Sequence, residues 1–371
     1  MKVYQVFESY PLFYQPYIPP VIKALDDVEG VKITIVAFKG EKRKGSDYKL
    51  VMIPGYRKRI LYKKIYQFFN KEFRNLDYFE IRALKDKVDI IHIQHSYLFP
   101  KVINILKLDK SKRPKIIITL RGSETYVKPW IYKKWKIFFR DYGSEIDAFV
   151  VMSENQKIYL TRWGIPLSNI HVIPVSFGKK SIVHPKIMND KEMRIVSIFR
   201  MVWEKNISDC LKFVKKLKQK NISVTYDIYG DGRDLGQVYY LRDKYDLNEE
   251  VNIFGRIPNN ELKDKIINYD FILQLSHSES LGMSVIEAQS NGVLAIVSNN
   301  GGLTEIIRNG KSGIIVDLDN FDSSILEVFD VWKNPDIYSQ MSQSAIEYSH
   351  ENFTIEKEVE RTTNLYLKMI Q

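Results

Sequence analysis

The sequence predicts an α/β protein made of two domains in tandem. Three observations predict it. Short apolar runs of strand length recur, each followed by turn residues and then by apolar positions at helical spacing, the signature of βαβ units. A polar stretch containing Gly and Pro, SFGKKSIVHPKIMNDKE at 176–192, interrupts that rhythm, which then restarts. The chain has 371 residues, 44% of them hydrophobic and 13% aromatic, which is enough for two ordinary cores.

Residues 3–7 read as the first strand and 8–11 as its end. The loop that follows is rich in aromatics and proline (Phe13, Tyr14, Pro16, Tyr17, Pro19, Pro20), and 21–25 begins a helix. Residues 31–36 are the second strand. The segment 39–75 is basic and aromatic, including Lys42, Arg43, Lys44 and Phe73, and Ile60, Leu61, Lys64, Ile65, Phe68 and Phe69 fall near helical spacing. That pattern reads either as a basic amphipathic helix on a membrane surface or as a helix with its apolar stripe in the core. Residues 88–95 form a buried strand ending in a histidine, with His92 packed and His95 at the carboxyl end. Residues 116–120 are the next strand, followed by Arg121-Gly122-Ser123-Glu124. Between 128 and 140, Trp130, Tyr132, Trp135, Phe138 and Phe139 interleave with five basic residues. Trp and Tyr suit a lipid interface and Lys stems snorkel to headgroups, and no nucleic-acid module signature accompanies them, so no nucleic-acid partner is expected. Two further strands, within 147–153 and 169–175, complete this half.

The second half opens with a strand at 194–199, then Arg200-Met201-Val202-Trp203-Glu204-Lys205-Asn206 and a helix with a Lys-rich face over 208–219. A strand at 224–229 runs into Gly230-Asp231-Gly232, and one at 251–257 contains Arg256. The strand at 270–275 leads to SHSESLGMSVIEAQSNG, in which seven residues separate Glu279 from Glu287. Leu281-Gly282-Met283 lies between them, and the helix that follows stops at Asn291-Gly292. A turn at the carboxyl end of a buried strand that opens a helix is where α/β proteins bind ligands, and the helix start suits an anion. Glu279 in that turn and Glu287 on the helix are placed for two sets of hydroxyls. Glu305, after Asn300-Gly301-Gly302, reads as structural, Asp317-Leu318-Asp319 as a turn, and 350–367 as two short helices.

Together these segments resemble the retaining glycosyltransferases of family 4, the glycosyl transferases group 1. The Glu-x7-Glu string carries the resemblance, with Leu281-Gly282 after the first Glu and Ala288 after the second. Arg200 and Lys205, flanked by Phe199 and Asn206 where relatives have Gly, and the strand with Asp89, His92 and His95 add to it. Two features depart from the family pattern: the loop after the first strand lacks a Gly pair, and Arg121 stands where many relatives have His. The resemblance implies the GT-B fold, two Rossmann-like domains facing each other across a cleft. Residues 1–178 would be the acceptor domain and 179–350 the donor domain, with 351–371 crossing back to the first. It also implies roles. Glu279 orients the donor sugar, and Arg200 and Lys205 carry the charge of the departing diphosphate. Glu287 holds the ribose, the amides of Leu281, Gly282 and Met283 the phosphate, and Arg256 and Gly230 complete the nucleotide site. Arg121 and His95 stand on the acceptor side. The implied reaction is retaining and metal-independent, with no cofactor. It moves sugar from a nucleotide-diphosphate sugar, UDP-sugar favoured over GDP-sugar, to a glycan or lipid-linked acceptor in envelope polysaccharide biosynthesis.

Charge divides the chain unevenly. Residues 1–178 hold 32 Lys+Arg and 17 Asp+Glu, a net of +15, and 179–371 hold 24 and 28, a net of −4. An anionic partner of the first half follows, and an anionic membrane surface fits the basic-aromatic segments. The single cysteine, Cys210, leaves no internal disulfide and fits a reducing compartment. No apolar run approaches the roughly 18 residues of a spanning helix, and the first residues do not read as a signal peptide. The expected location is cytoplasmic, peripheral on the inner face of the membrane. Two other classes compete: a GT-B nucleotide-sugar 2-epimerase or hydrolase, and a non-catalytic basic membrane-binding protein. The joint presence of Glu279, Glu287, Arg200 and Lys205 favours the transferase.

Overall fold

The computed structural model describes residues 1–10, 15–40, 49–70, 75–178, 182–186 and 191–371. Phe13, Tyr14, Lys42, Arg43, Lys44, Phe73 and the parts of 176–192 at 179–181 and 187–190 lie outside the described residues. The chain divides into two units, Met1–Val175 with Ile355–Gln371 and Ser176–Thr354.

The first unit runs β1 (Lys2–Tyr10), α1 (Ile18–Asp26), β2 (Lys32–Gly40), β3 (Lys49–Met52), α2 (Tyr56–Phe69), α3 (Tyr78–Lys85), β4 (Ile90–Ile93), β5 (Lys115–Thr119), α4 (Ser123–Tyr126), α5 (Lys128–Ile131), α6 (Lys133–Tyr142), β6 (Ala148–Val151), α7 (Glu154–Thr161) and β7 (Ile170–Val172). Its strands form one parallel sheet in the order β3-β2-β1-β4-β5-β6-β7. β4 and β6 are buried at every position, because a parallel sheet is covered by helices on both faces and so selects unbroken apolar runs. Local chemistry sets the helix starts: Asp77 and Glu80 form a reciprocal capping box on α3, and Ser153 caps α7.

The second unit runs β8 (Met193–Ile198), α8 (Ile207–Gln219), β9 (Val224–Tyr229), α9 (Leu235–Lys244), β10 (Val251–Gly255), α10 (Asn259–Ile266), β11 (Phe271–Gln274), α11 (Met283–Gln289), β12 (Leu294–Ser298), β13 (Gly313–Val316), α12 (Phe321–Lys333) and α13 (Pro335–Asn352). Its parallel sheet has the order β10-β9-β8-β11-β12-β13. In each unit the strand order reverses between two central neighbours, β1/β4 and β8/β11. The loops leaving those strands at their carboxyl ends diverge there and leave a crevice.

The last helix, α14 (Ile355–Ile370), belongs to the first unit and packs beside α1. The two short helices expected over 350–367 are instead the end of α13 and one continuous α14. Their junction is at Phe353 and Thr354, so the boundary falls after Thr354 rather than at 350. The first boundary likewise falls after Val175 rather than 178.

Two aromatic segments resolve differently from each other. In the 128–140 segment, Trp135, Phe138 and Phe139 are core residues, each 1% exposed, and Trp135 and Phe138 both contact Phe99. Only Trp130, Ile131 and Tyr132 of that stretch face outward among its large apolar groups. Helix period explains the error: α6 places 135, 138 and 139 on one stripe, and interleaved lysines take the other face. On α2 the inward face is Tyr62 and Tyr66, with Lys85 lying over both rings. Leu61, Ile65 and Phe68 point outward at 62%, 54% and 79% exposure.

Candidate active site

The second unit builds its crevice from two loops. Past β11 the chain makes a tight descent from Ser276 to Gly282. The Ser276 carbonyl accepts from Ser298 Oγ and Asn300 Nδ2, the His277 amide donates to the Glu204 carbonyl at 2.9 Å, and the Glu279 carbonyl accepts from the Gly302 amide at 2.9 Å. The loop is therefore fixed before any ligand arrives. Gly282 closes it at φ +105, a conformation that favours glycine, and a Cβ there would stand 2.8 Å from Leu303 Cδ2, which would have to shift. Leu281 is buried beneath the turn, while Met283 begins α11 half-buried.

Glu279 and Lys205 meet directly. The Lys205 ammonium pairs with Glu279 Oε2, which also accepts from Gln274 Nε2 at 2.7 Å, and both paired side chains are 14% exposed. Gln274, the last residue of β11, is itself held by Ser284, whose hydroxyl donates to Gln274 Oε1 at 3.0 Å. One carboxylate thus has a fixed orientation supplied from two strand ends. Lys205 lies on a 3₁₀ turn that ends at Asn206 with φ +50. That left-handed position explains the residue where relatives have Gly, since Asn tolerates the conformation better than most residues.

Arg200 follows β8 and is exposed, and its guanidinium makes no hydrogen bond or ion pair with any described residue. Its loop is closed by backbone contact. Gly230 has φ +135, and a Cβ on it would lie 1.8 Å from the Phe199 carbonyl oxygen. The structure thus accounts for Gly230 through the approach of β9 to β8. Arg256 is exposed just past β10.

Glu287 sits half-buried on α11 and lines a pocket of about 420 Å³ with Leu262, Lys263, Ser290 and Asn291. No described residue donates a hydrogen bond to its carboxylate. Burial pushes its pKa up to about 7, against the opposing charge of Lys263. A carboxyl group left with open acceptor positions in a pocket is a binding feature. Among the described residues no three His, Cys, Asp or Glu side chains gather to hold a metal ion, and Asp317 and Asp319 form a turn in which the Asp319 N–H donates to Asp317 Oδ1.

The first unit places His95 and Arg121 at the carboxyl ends of β4 and β5. His95 Nδ1 accepts from the Glu8 amide and Nε2 meets Gln15 Oε1 at 3.0 Å. Burial, with the charge of Arg121, pushes its pKa down to about 4, so the ring is neutral. Arg121 donates twice to Gln94, from Nη1 to the carbonyl at 2.7 Å and from Nη2 to Oε1 at 2.8 Å.

Two family signatures divide the chain between them. Residues 21–175 match Glycosyltransferase Family 4 and residues 179–348 match Glycosyl transferases group 1. The chain belongs to the group 1 glycosyltransferases. This glycosyltransferase is 25% identical to an uncharacterized 41.2 kDa protein in the cps region of Klebsiella pneumoniae, over 67% of this chain and 71% of that one. It is 21% identical to the N-acetyl-alpha-D-glucosaminyl L-malate synthase of Bacillus anthracis, over 78% and 77%. The crystal structure of Anabaena HepE in complex with UDP superposes with a TM-score of 0.72 at 11% identity, over 99% of this chain and 100% of that one, which shows the shared GT-B fold.

Motif reading passed over residues that hold these side chains in place. Gln274 orients Glu279, and its signal was a polar residue ending an otherwise apolar strand, FILQ. Tyr366 and Gln5 reach the first unit's polar centre from 361 positions apart, which no local pattern records.

Proposed function

We propose that this glycosyltransferase moves a sugar, with retention of configuration and without a metal ion, from a UDP-sugar to a glycan or lipid-linked acceptor in envelope polysaccharide synthesis. The observation that carries the reading is the Glu287 carboxylate, open in its pocket on the helix that follows the loop where Glu279 is clamped by Lys205. A vicinal diol such as a ribose supplies two donors to such a carboxylate, and hydroxyls of the transferred sugar find fixed acceptors at Glu279. Arg200, exposed and unengaged among the described residues, and Lys205 supply the charge that a departing diphosphate needs, the role a metal ion would otherwise fill. In the step we envisage, the acceptor oxygen bonds to the anomeric carbon as its bond to the phosphate breaks on the same face. The acceptor proton passes to the departing phosphate oxygen. Uridine is favoured because the matched HepE structure holds UDP.

A lipid-linked acceptor is supported by α2. Leu61, Ile65 and Phe68 form an exposed apolar ridge, and Arg57, Lys58 and Lys64 stand exposed beside it. An anionic lipid surface fits both halves of that face. No helix among the described residues is long and apolar enough to cross a membrane.

The donor reading is tested by a thermal-shift panel of UDP, GDP and their sugars, with EDTA and with manganese, on the wild type and Glu287→Ala. UDP compounds raise the wild-type midpoint equally in EDTA, and the rise is largely lost in Glu287→Ala. No shift with any nucleotide would overturn the donor site, and a shift only with manganese would overturn metal independence.

A further inference from the structure

The first unit contains a buried hydrogen-bond chain that begins at Arg121 and reaches α14. Arg121 Nη2 donates to Gln94 Oε1 at 2.8 Å. Gln94 Nε2 donates to Gln5 Oε1 at 2.9 Å. Gln5 Nε2 donates to the Tyr366 hydroxyl at 2.7 Å. That hydroxyl lies 2.6 Å from His92 Nδ1, and His92 Nε2 lies 2.7 Å from Thr119 Oγ1. Gln5, His92, Thr119 and Tyr366 are all under 5% exposed.

The direction of every bond follows from the first. Arginine only donates, so Gln94 presents its carbonyl to Arg121 and its amide to Gln5. Gln5 is oriented the same way and gives its amide to Tyr366. The Tyr366 oxygen accepts there, so its one proton points at His92 Nδ1. His92 is then the Nε2–H tautomer and donates to Thr119. Gln94 Nε2 stands 3.5 Å from His92 Nε2, too far to compete. Burial and the charge of Arg121 hold the imidazole neutral, with its pKa down at about 3, so the tautomer persists at all working pH.

The chain folds around a cavity of about 30 Å³ lined by His92, Gln94, Thr119 and Arg121 and, from α14, Glu358 and Thr362. That volume holds about one water molecule. The two ends of the chain, Arg121 and Thr119, therefore border the same small space, whose remaining lining is largely apolar.

We propose that Tyr366 is a positioning residue for Arg121: through Gln5 and Gln94 the carboxyl-terminal helix sets the plane of the guanidinium at the carboxyl end of β5. The inference rests on the reading that Arg121 serves the acceptor side. Tyr366 is the member that α14 contributes, and its single hydroxyl both accepts from Gln5 and donates to His92. Removing its hydroxyl leaves the Gln5 amide and His92 Nδ1 unmatched inside the protein, a cost relieved by rotating the glutamines. Rotation of Gln94 withdraws the side-chain oxygen that Arg121 Nη2 donates to.

The experiment is NMR on the full-length protein labelled with ¹⁵N-arginine and ¹⁵N-histidine, with Arg121 assigned through Arg121→Lys. In the wild type the Arg121 Nη signals are resolved and His92 shows the Nε2–H tautomer, unchanged from pH 5 to 8. In Tyr366→Phe the Arg121 Nη signals merge into one averaged resonance and the His92 signals move. A comparison variant, Leu365→Ala, weakens the same helix from a buried neighbour outside the chain and leaves Arg121 resolved. Unchanged Arg121 signals in Tyr366→Phe, or the same merging in Leu365→Ala, would overturn the proposal. The UDP-induced rise in midpoint, which reports on the second unit, is measured on the same samples. Its loss in the wild type would indict the donor reading and leave the Tyr366 result standing.

Discussion

At the scale of single residues, Glu287 has the most direct pH consequence. Its carboxyl group titrates at about 7 because burial disfavours the charge and Lys263 only partly offsets that. The folded-state value lies above the unfolded one. Between about pH 4.5 and 7 the native chain therefore holds a proton that the unfolded chain lacks, and this group's effect on stability turns unfavourable as pH rises through that window. Ligand binding runs the other way, since a diol donates to a carboxylate and loses an acceptor when the group is protonated. UDP affinity is expected to rise roughly tenfold between pH 6 and pH 8, and Glu287→Gln flattens the curve. Isothermal titration of both proteins measures it. The diphosphate's own ionisation near pH ~6 is common to both, so their difference isolates the residue. A wild-type curve that parallels the Gln variant would remove Glu287 from the site. The sequence named this residue and Glu279 through their spacing. It was silent on Gln274 and Tyr366, whose partners depend on strand ends meeting and on a helix returning from the far end of the chain.

At the scale of elements, α2 and α6 show how one kind of composition has two outcomes. Both interleave aromatics with lysines, and only periodicity against the sheet separates them. α6 spends Trp135, Phe138 and Phe139 on the core, so a Trp135→Ala change would cost about 3–5 kcal/mol and would not report on any surface. α2 packs Tyr62 and Tyr66, partly buried, against the core and leaves Leu61, Ile65 and Phe68 exposed. Replacing those three by Ser is expected to leave the thermal midpoint within about 2 °C, since exposed positions contribute little to stability. Binding to vesicles containing phosphatidylglycerol should fall by about tenfold or more in a sedimentation assay, and neutral vesicles should bind weakly in both cases. Equal vesicle binding by the triple variant would move the lipid contact off α2. Strand positions were the most legible elements, because buried parallel strands are unbroken apolar runs. β3 was not: it is a four-residue, half-exposed edge strand, and its short apolar run Leu50-Val51-Met52-Ile53 lies inside a basic, aromatic segment.

At the scale of the whole molecule, the two-unit plan was readable because the βαβ rhythm stops and restarts. The boundaries were read three to four residues late at the first crossing and early at the second. Linker composition marks where helices are absent, whereas the true edge is set by which core each residue joins, and Val175 still lines the first unit's cavity. That plan makes a last prediction about independence. Glu279, Lys205, Arg200 and Glu287 all lie within Ser176–Thr354, and that unit has its own core of buried residues from Met193 to Ala345. A fragment spanning 176–354 is expected to fold cooperatively and keep the UDP-induced rise in its midpoint. The first unit is not continuous in sequence. A fragment spanning 1–175 lacks α14, which strips the cover from α1 and leaves Gln5 and His92 without the Tyr366 hydroxyl. Such buried groups cost about 1–3 kcal/mol each when unpaired, a large share of a small domain's stability. The 1–175 fragment should therefore lack a cooperative unfolding transition by circular dichroism. Joining 355–371 to it through a flexible linker should restore one. A cooperative transition for 1–175 alone would show that α14 is an accessory to this unit, and failure of the linked fragment would show that the unit needs its neighbour to fold.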